Sequence, residues 1–166
     1  MRPFRGTDAP ATWVGPGRLR HRGRRLVSSA PIRLSPDTGS SGYWDAARRN
    51  ELALPVCDEC GNLTLPPAPV CPNCGTTAPR WRFTPVSGRG TVRSWTLVRN
   101  SFHPAFDHLV PYLVADVELD AQPGLRVVGR LLDEGAEPPR LGDRVQTSFQ
   151  ELADGLTVPG FVREHT

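Results

Sequence analysis

Four cysteines constrain this chain more than any other feature. They read Cys57-Asp-Glu-Cys60 and Cys71-Pro-Asn-Cys74, two Cys-x-x-Cys knuckles with ten residues between them. Two residues between ligands let a chain bend both sulfurs towards one ion, leaving backbone N–H groups to bond the thiolates. Gly61 and Gly75 follow the second cysteine of each knuckle, where a chain turning around a metal needs a positive φ. Two such knuckles complete a tetrahedral Cys₄ site with sulfur–metal distances of about 2.3 Å and no open position, so the spacing predicts one structural zinc. Iron in the same tetrahedron is the main competitor, because four thiolates suit either metal. A redox dithiol needs one Cys-x-x-Cys at a helix start in a βαβ setting, and neither surrounding is present. A segment of about 25 residues cannot bury enough apolar surface to offset its ordering entropy, so the metal is expected to carry its folding.

The rest of the chain reads as short strands and turns. Eighteen Pro and sixteen Gly among 166 residues favour turns over long helices. No apolar run is long enough to span a membrane or to act as a secretory signal, which predicts a cytoplasmic protein with no membrane partner. The net charge of +3 divides unevenly. Residues 1–40 hold eight arginines against Asp8 and Asp37, a balance of +6, and the remaining residues hold twelve arginines against fifteen acids, a balance of −3. A nucleic-acid binder is expected to carry positive charge on its folded body, so nucleic acid is an unlikely partner by this reading.

Residues 1–39 lack both helical and strand periodicity and read as a disordered Arg-rich head. Its charge run Arg18–Arg25 fits a nucleic-acid or anionic-surface tail, its Arg- and Ser-rich, acid-poor composition mimics an organelle transit peptide, and a translation start near Val27 is the duller explanation. Residues 40–53 form the N-terminal helix, capped by Ser41, running from about 42 to 52 with Tyr43, Trp44, Ala47 and Leu52 along one side. Tyr43 and Trp44 either pack into the core or anchor the helix on a partner subunit, where aromatics are often hot spots. Residues 54–79 are the ribbon. Residues 80–166 form the barrel, with Trp81–Val86 as an extended lead-in and a turn at Ser87–Gly90. Strands follow at 91–99, 112–119, 125–132, 144–151 and 156–162. In the first of these, Val92, Ser94, Thr96 and Val98 alternate with Arg93, Trp95, Leu97 and Arg99, a period of two. Pro159 makes the last an edge strand at best. The fold class is therefore mainly β: an N-terminal helix and Cys₄ zinc ribbon followed by a small antiparallel OB-type barrel.

In order along the chain, Tyr43-Trp44, the double knuckle with Leu65-Pro66-Pro67 between its halves, Ser87-Gly88-Arg89-Gly90-Thr91-Val92 and Pro111-Tyr112 form a recognisable set. The set resembles the family that joins a rubredoxin-like zinc ribbon to an OB-fold, often described as acyl-CoA-associated. The resemblance covers about residues 40–162. It implies a non-catalytic acyl-CoA-binding accessory subunit of a thiolase-fold, aldolase-type or related condensing enzyme in lipid, sterol or polyketide metabolism. It also implies that the helix and ribbon help dock the partner.

The residues allow such a ligand. Coenzyme A needs cations for its phosphates and an apolar or aromatic surface for the rest. Arg89, Arg93 and Arg99 lie in or beside one strand, and Phe102, His103, Phe106 and Tyr112 surround the loop after it. A solvated arginine face and a barrel-closing set of aromatics is the competing reading of the same residues. His103 as a general base lacks a placed nucleophile or carboxylate to work with, so no catalytic residue is assigned. The alternative function is a single-stranded nucleic-acid-binding module, because ribbons and OB barrels both bind oligonucleotides.

Overall fold

A computed structural model describes residues 37, 39–101, 103–133, 137–153 and 156–164. The Arg-rich head, apart from Asp37 and Gly39, lies outside the described residues, as does Phe102. In chain order the elements are helix α1 (Ser41–Ala47), strands β1 (Ala53–Cys57), β2 (Trp81–Pro85) and β3 (Arg89–Val98), a 3₁₀ turn (Pro104–Phe106), and strands β4 (Tyr112–Leu119), β5 (Arg126–Leu131), β6 (Arg144–Ala153) and β7 (Leu156–Arg163). No helix among the described residues is long and apolar enough to cross a membrane.

Helix α1 is shorter than the sequence predicts, and Ser40, not Ser41, is its N-terminal flanking residue. The Ser40 hydroxyl donates to Asp37 Oδ1 (2.6 Å) instead of capping the helix. The chain leaves the helix at Arg48, and Asn50 takes a left-handed φ of 57° that no continuing helix allows. Leu52 therefore reaches the core from an extended segment and not from a helical face.

Strands β1 and β2 pair antiparallel as a separate two-stranded sheet, from Ala53 opposite Pro85 to Cys57 opposite Trp81. The segment at 81–85 thus pairs within the ribbon and does not extend the barrel. Strands β3 to β7 close a barrel in the order β3-β4-β5-β7-β6. All of its ladders are antiparallel except the closing one, where β5 meets β7 in parallel at Arg130–Gly160 and Leu131–Phe161. Five strands with one parallel closure is the OB arrangement.

Two strand expectations need correction. Pro159 does not mark an edge: β7 lies between β5 and β6, and Pro159 stands opposite Phe149. The missing N–H is tolerated because pairing to β5 begins only at Gly160. Nor does β3 keep one alternation throughout. A bulge between Val92 and Ser94 inserts Arg93 and reverses the phase. Val92, opposite Val117, then shares the inner face with Trp95 and Leu97, which stand opposite Ala115 and Leu113. Ser94, Thr96 and Val98 face outward.

One core joins ribbon and barrel. Leu52 and Leu54 belong to the same buried cluster as Val92, Val117, Leu119, Val145 and Phe161, with Tyr43, Leu63 and Leu65 packed against it. Helix α1 lies against β1, β2 and β7. Gly42 makes this possible, because a Cβ there would sit 2.4 Å from the Phe83 ring. Gly90 has the same role where β3 crosses β4: a Cβ would stand 2.5 Å from Val117 Cγ1 and 2.6 Å from the Glu118 carbonyl oxygen.

Candidate metal centre

The two knuckles are built alike. In the first, Gly61 N–H donates to the Cys57 carbonyl (2.8 Å) and Cys57 N–H to the Asn62 carbonyl (2.9 Å). In the second, Gly75 N–H donates to the Cys71 carbonyl (3.0 Å) and Cys71 N–H to the Thr76 carbonyl (3.0 Å). Both glycines hold φ at 72°, the left-handed turn their position in the sequence predicts. Cys57 and Cys71 are buried, while Cys60 and Cys74 are exposed at the knuckle tips.

Four sulfurs converge, all within 4.8 Å of one another. Cys60 Sγ and Cys71 Sγ are 3.7 Å apart, far beyond a disulfide. A tetrahedron with a sulfur–metal distance of about 2.3 Å has edges of about 3.8 Å, so the spacing fits a metal site. Two of the thiols, Cys60 and Cys74, are shifted in opposite directions. Cys60 is held down at about 6, first by the Asn73 side chain and then by the Asn62 N–H. At Cys74 the Thr76 N–H acts downward, but desolvation and the neighbouring sulfurs outweigh it and push the thiol up to about 11. A cation bound by all four sulfurs must displace whatever thiol protons remain.

The barrel holds the ribbon through contacts that the sequence does not announce. The Gln122 side chain, in the β4–β5 turn, accepts from Leu63 N–H (2.8 Å) and donates to the Leu63 carbonyl (3.0 Å). Within the ribbon, Trp81 Nε1–H on β2 donates to the Ala68 carbonyl (3.0 Å), pinning the loop between the knuckles. Nothing in composition or period distinguishes Gln122 from any turn glutamine; only the tertiary approach of Leu63 gives it a role.

The predicted ligand residues do not all converge. Arg89 pairs with Glu164 (3.2 Å) and Arg93 with Glu118 (2.8 Å). Arg126, Arg144 and Arg163 pair with Asp116, Asp120 and Asp133. Arg89 and Arg99 are separated by about 30 Å of strand, too far to grip one phosphate group. Arg99 has no ion partner among the described residues. It lies at the β3–β4 turn-back with His103, Phe106 and Tyr112. There His103 and Phe106 meet edge to face at 5.9 Å, and Val98 stands opposite Tyr112. The guanidinium of Arg130, which the sequence did not single out, lies 5.5 Å from the Tyr112 ring and donates to Gln150 Oε1 (2.8 Å). Tyr43 packs on the core, and burial pushes its hydroxyl up to about 12. Trp44 is half-buried and meets it edge to face at 5.0 Å.

Comparison with known proteins gives this architecture a family. The family model described as the ChsH2 rubredoxin-like zinc ribbon domain matches residues 44–80, and that of the ChsH2 C-terminal OB-fold domain matches residues 83–150. A DUF35 domain-containing scaffold protein of Pyrococcus furiosus is 32% identical over 126 residues, 73% of this chain and 88% of that protein. The chain belongs to the ChsH2/DUF35 family. A probable enoyl-CoA hydratase alpha subunit of Thermomonospora curvata is 34% identical over 148 residues, 87% of this chain. The match spans 44% of that longer protein. Among solved structures, a chain of the Ltp2-ChsH2(DUF35) aldolase superposes with a TM-score of 0.67 at 31% identity, covering 79% of this chain and 98% of that one. Within this ChsH2/DUF35 frame, the four cysteines fall in the segment matched by the zinc ribbon model.

Proposed function

We propose that this ChsH2/DUF35 chain is a non-catalytic accessory scaffold, stapled by one structural zinc on Cys57, Cys60, Cys71 and Cys74, that serves a thiolase-fold or aldolase-type enzyme acting on acyl-CoA. The observation that carries the reading is the likeness to a chain of the Ltp2-ChsH2(DUF35) aldolase, which extends over nearly the whole of that chain. The scaffold proteins named among its relatives point the same way. Ribbon and barrel sharing one core supports a rigid body able to hold a partner in register.

Acyl-CoA handling is assigned to the β3–β4 connection, which carries Arg99, a cation without an ion partner among the described residues, together with His103, Phe106 and Tyr112. The pairing of Arg89 and Arg93 with carboxylates weighs against their binding phosphate, and the ion-paired arginines of the barrel weigh against a strand-tracking nucleic-acid groove. Purification of the tagged chain from its native host is the test. Stoichiometric recovery of a thiolase-fold or aldolase subunit, with one zinc per chain by elemental analysis, is expected. Salt-sensitive binding to single-stranded DNA with no enzyme subunit recovered would overturn the reading.

A further inference from the structure

Strand β3 leaves part of its edge open. Arg89–Thr91 pair with β6, and Val92 is tied to the next turn, its N–H donating to the Asp143 carbonyl (3.0 Å) and its carbonyl accepting from Gly142 (2.9 Å). Strand β6 begins at Arg144, opposite Thr91, so β3 runs on beyond its partner, with the bulge at Arg93 just past that point. From Ser94 to Val98, β4 is the only strand paired with it among the described residues, and Arg93 sits unpaired in the bulge. Among the described residues, one row of backbone donors and acceptors, along about 20 Å of strand, carries no ladder.

Exposure agrees with this. Arg93, Ser94, Trp95 and Thr96 are all exposed in mid-strand, whereas β4 alternates between buried and half-buried along its length. Trp95 stands opposite buried Ala115 on the inner face, yet it is 38% exposed, and among the described residues no strand pairs with its far side. Leu141, 71% exposed, stands at the other end of the open edge, next to the Gly142 that bonds Val92. Proteins normally blunt such edges, because an open row of N–H and C=O groups accepts another strand. A tryptophan beside that row supplies the anchor that strand addition uses for selectivity.

Charge selects the occupant. Arg99 at one end and Arg140 near the other have no ion partner among the described residues. We propose that an extended segment of the partner enzyme, apolar in its middle and acidic towards its ends, adds to the Arg93–Val98 edge as a further strand. The proposal rests on the scaffold reading and names the surface through which the scaffold grips its enzyme. A second copy of this chain fits less well. Antiparallel pairing of two such edges centred between Trp95 and Thr96 brings Arg99 of each copy towards Arg93 and Arg140 of the other, and like charges repel.

The test uses the isotopically labelled full chain and two capped hexapeptides, one with glutamate and one with lysine at both ends of a valine core. The glutamate peptide is expected to shift the backbone amides of residues 93–98 and slow their exchange, with the lysine peptide binding about tenfold more weakly, because attraction to Arg99 and Arg140 at the two ends becomes repulsion. Equal binding of the two, or shifts confined elsewhere, overturns the proposal. So does a free chain that is dimeric with residues 93–98 already protected, which assigns the edge to a second copy. Where an enzyme subunit co-purifies with the wild-type chain, Trp95→Asp is expected to weaken its recovery at least tenfold. Unchanged recovery removes the edge and leaves the scaffold standing. Peptide shifts at 93–98 without any co-purifying enzyme support the edge and remove the scaffold reading alone.

Discussion

Truncating Leu54 to alanine tests whether ribbon and barrel are one folding unit. Leu54 lies on β1, inside the ribbon sheet, and is 0% exposed. Its cluster is that of Val92, Val117 and Phe161, all barrel residues. Leu54→Ala leaves a cavity walled by both modules, and fully buried leucines of this kind cost about 3 kcal/mol. For a fold of this size each kcal/mol moves the melting temperature by about 3 °C, so a drop of about 10 °C is expected. Urea unfolding should be followed by two probes at once: far-UV circular dichroism for the barrel, and release of metal to a colorimetric chelator for the ribbon. Both midpoints should fall together by the same free energy. A metal-release curve that shifts while the barrel transition stays in place would refute the shared core and make the ribbon an independent module.

Gly42→Ala adds a good helix former to α1 and would stabilise an open helix by about 0.5–1 kcal/mol, but its Cβ would meet the Phe83 ring at 2.4 Å. A net loss of about 1–3 kcal/mol in thermal unfolding is expected from that overpacking, and a rise in stability would contradict the helix placement. Cys71→Ala removes a buried member of the sulfur cluster and should leave the chain insoluble or without near-UV circular dichroism; an unchanged melting temperature would count against a folding role for the metal. Acid should destabilise the barrel through Glu118 and Asp120. The Gly124 N–H, then Arg93, hold Glu118 below its ordinary value, and the Arg144 side chain does the same for Asp120. Depressed folded-state values mean that the unfolded chain binds more protons, so this contribution is intact above about pH 5 and is lost as the pH falls through the carboxylate range. Urea midpoints that rise between pH 5 and pH 3 would show the sign to be wrong.

The ribbon was legible in the sequence because its causes are local. Two residues between cysteines, and a glycine after each pair, specify a turn whose atoms all lie within a few residues, and the structure holds both glycines at the same φ. Strand positions were legible for the same reason, since alternation is a property of consecutive residues, and β4 keeps it along its whole length. Partners were not legible. Whether Arg93 meets a phosphate or Glu118 depends on a residue 25 positions away, and whether Gln122 holds Leu63 depends on one 59 positions away. The bulge at Arg93 and the inward placement of β7 were hidden likewise, because both follow from which strand lies alongside. Composition and spacing determined that this chain has a metal knuckle pair and a set of short strands. Only the closing of the barrel decided that the two share a core and that, among the described residues, part of β3 keeps an unpaired edge. Registry between distant strands is set by the packing they produce together, and no single segment carries that information.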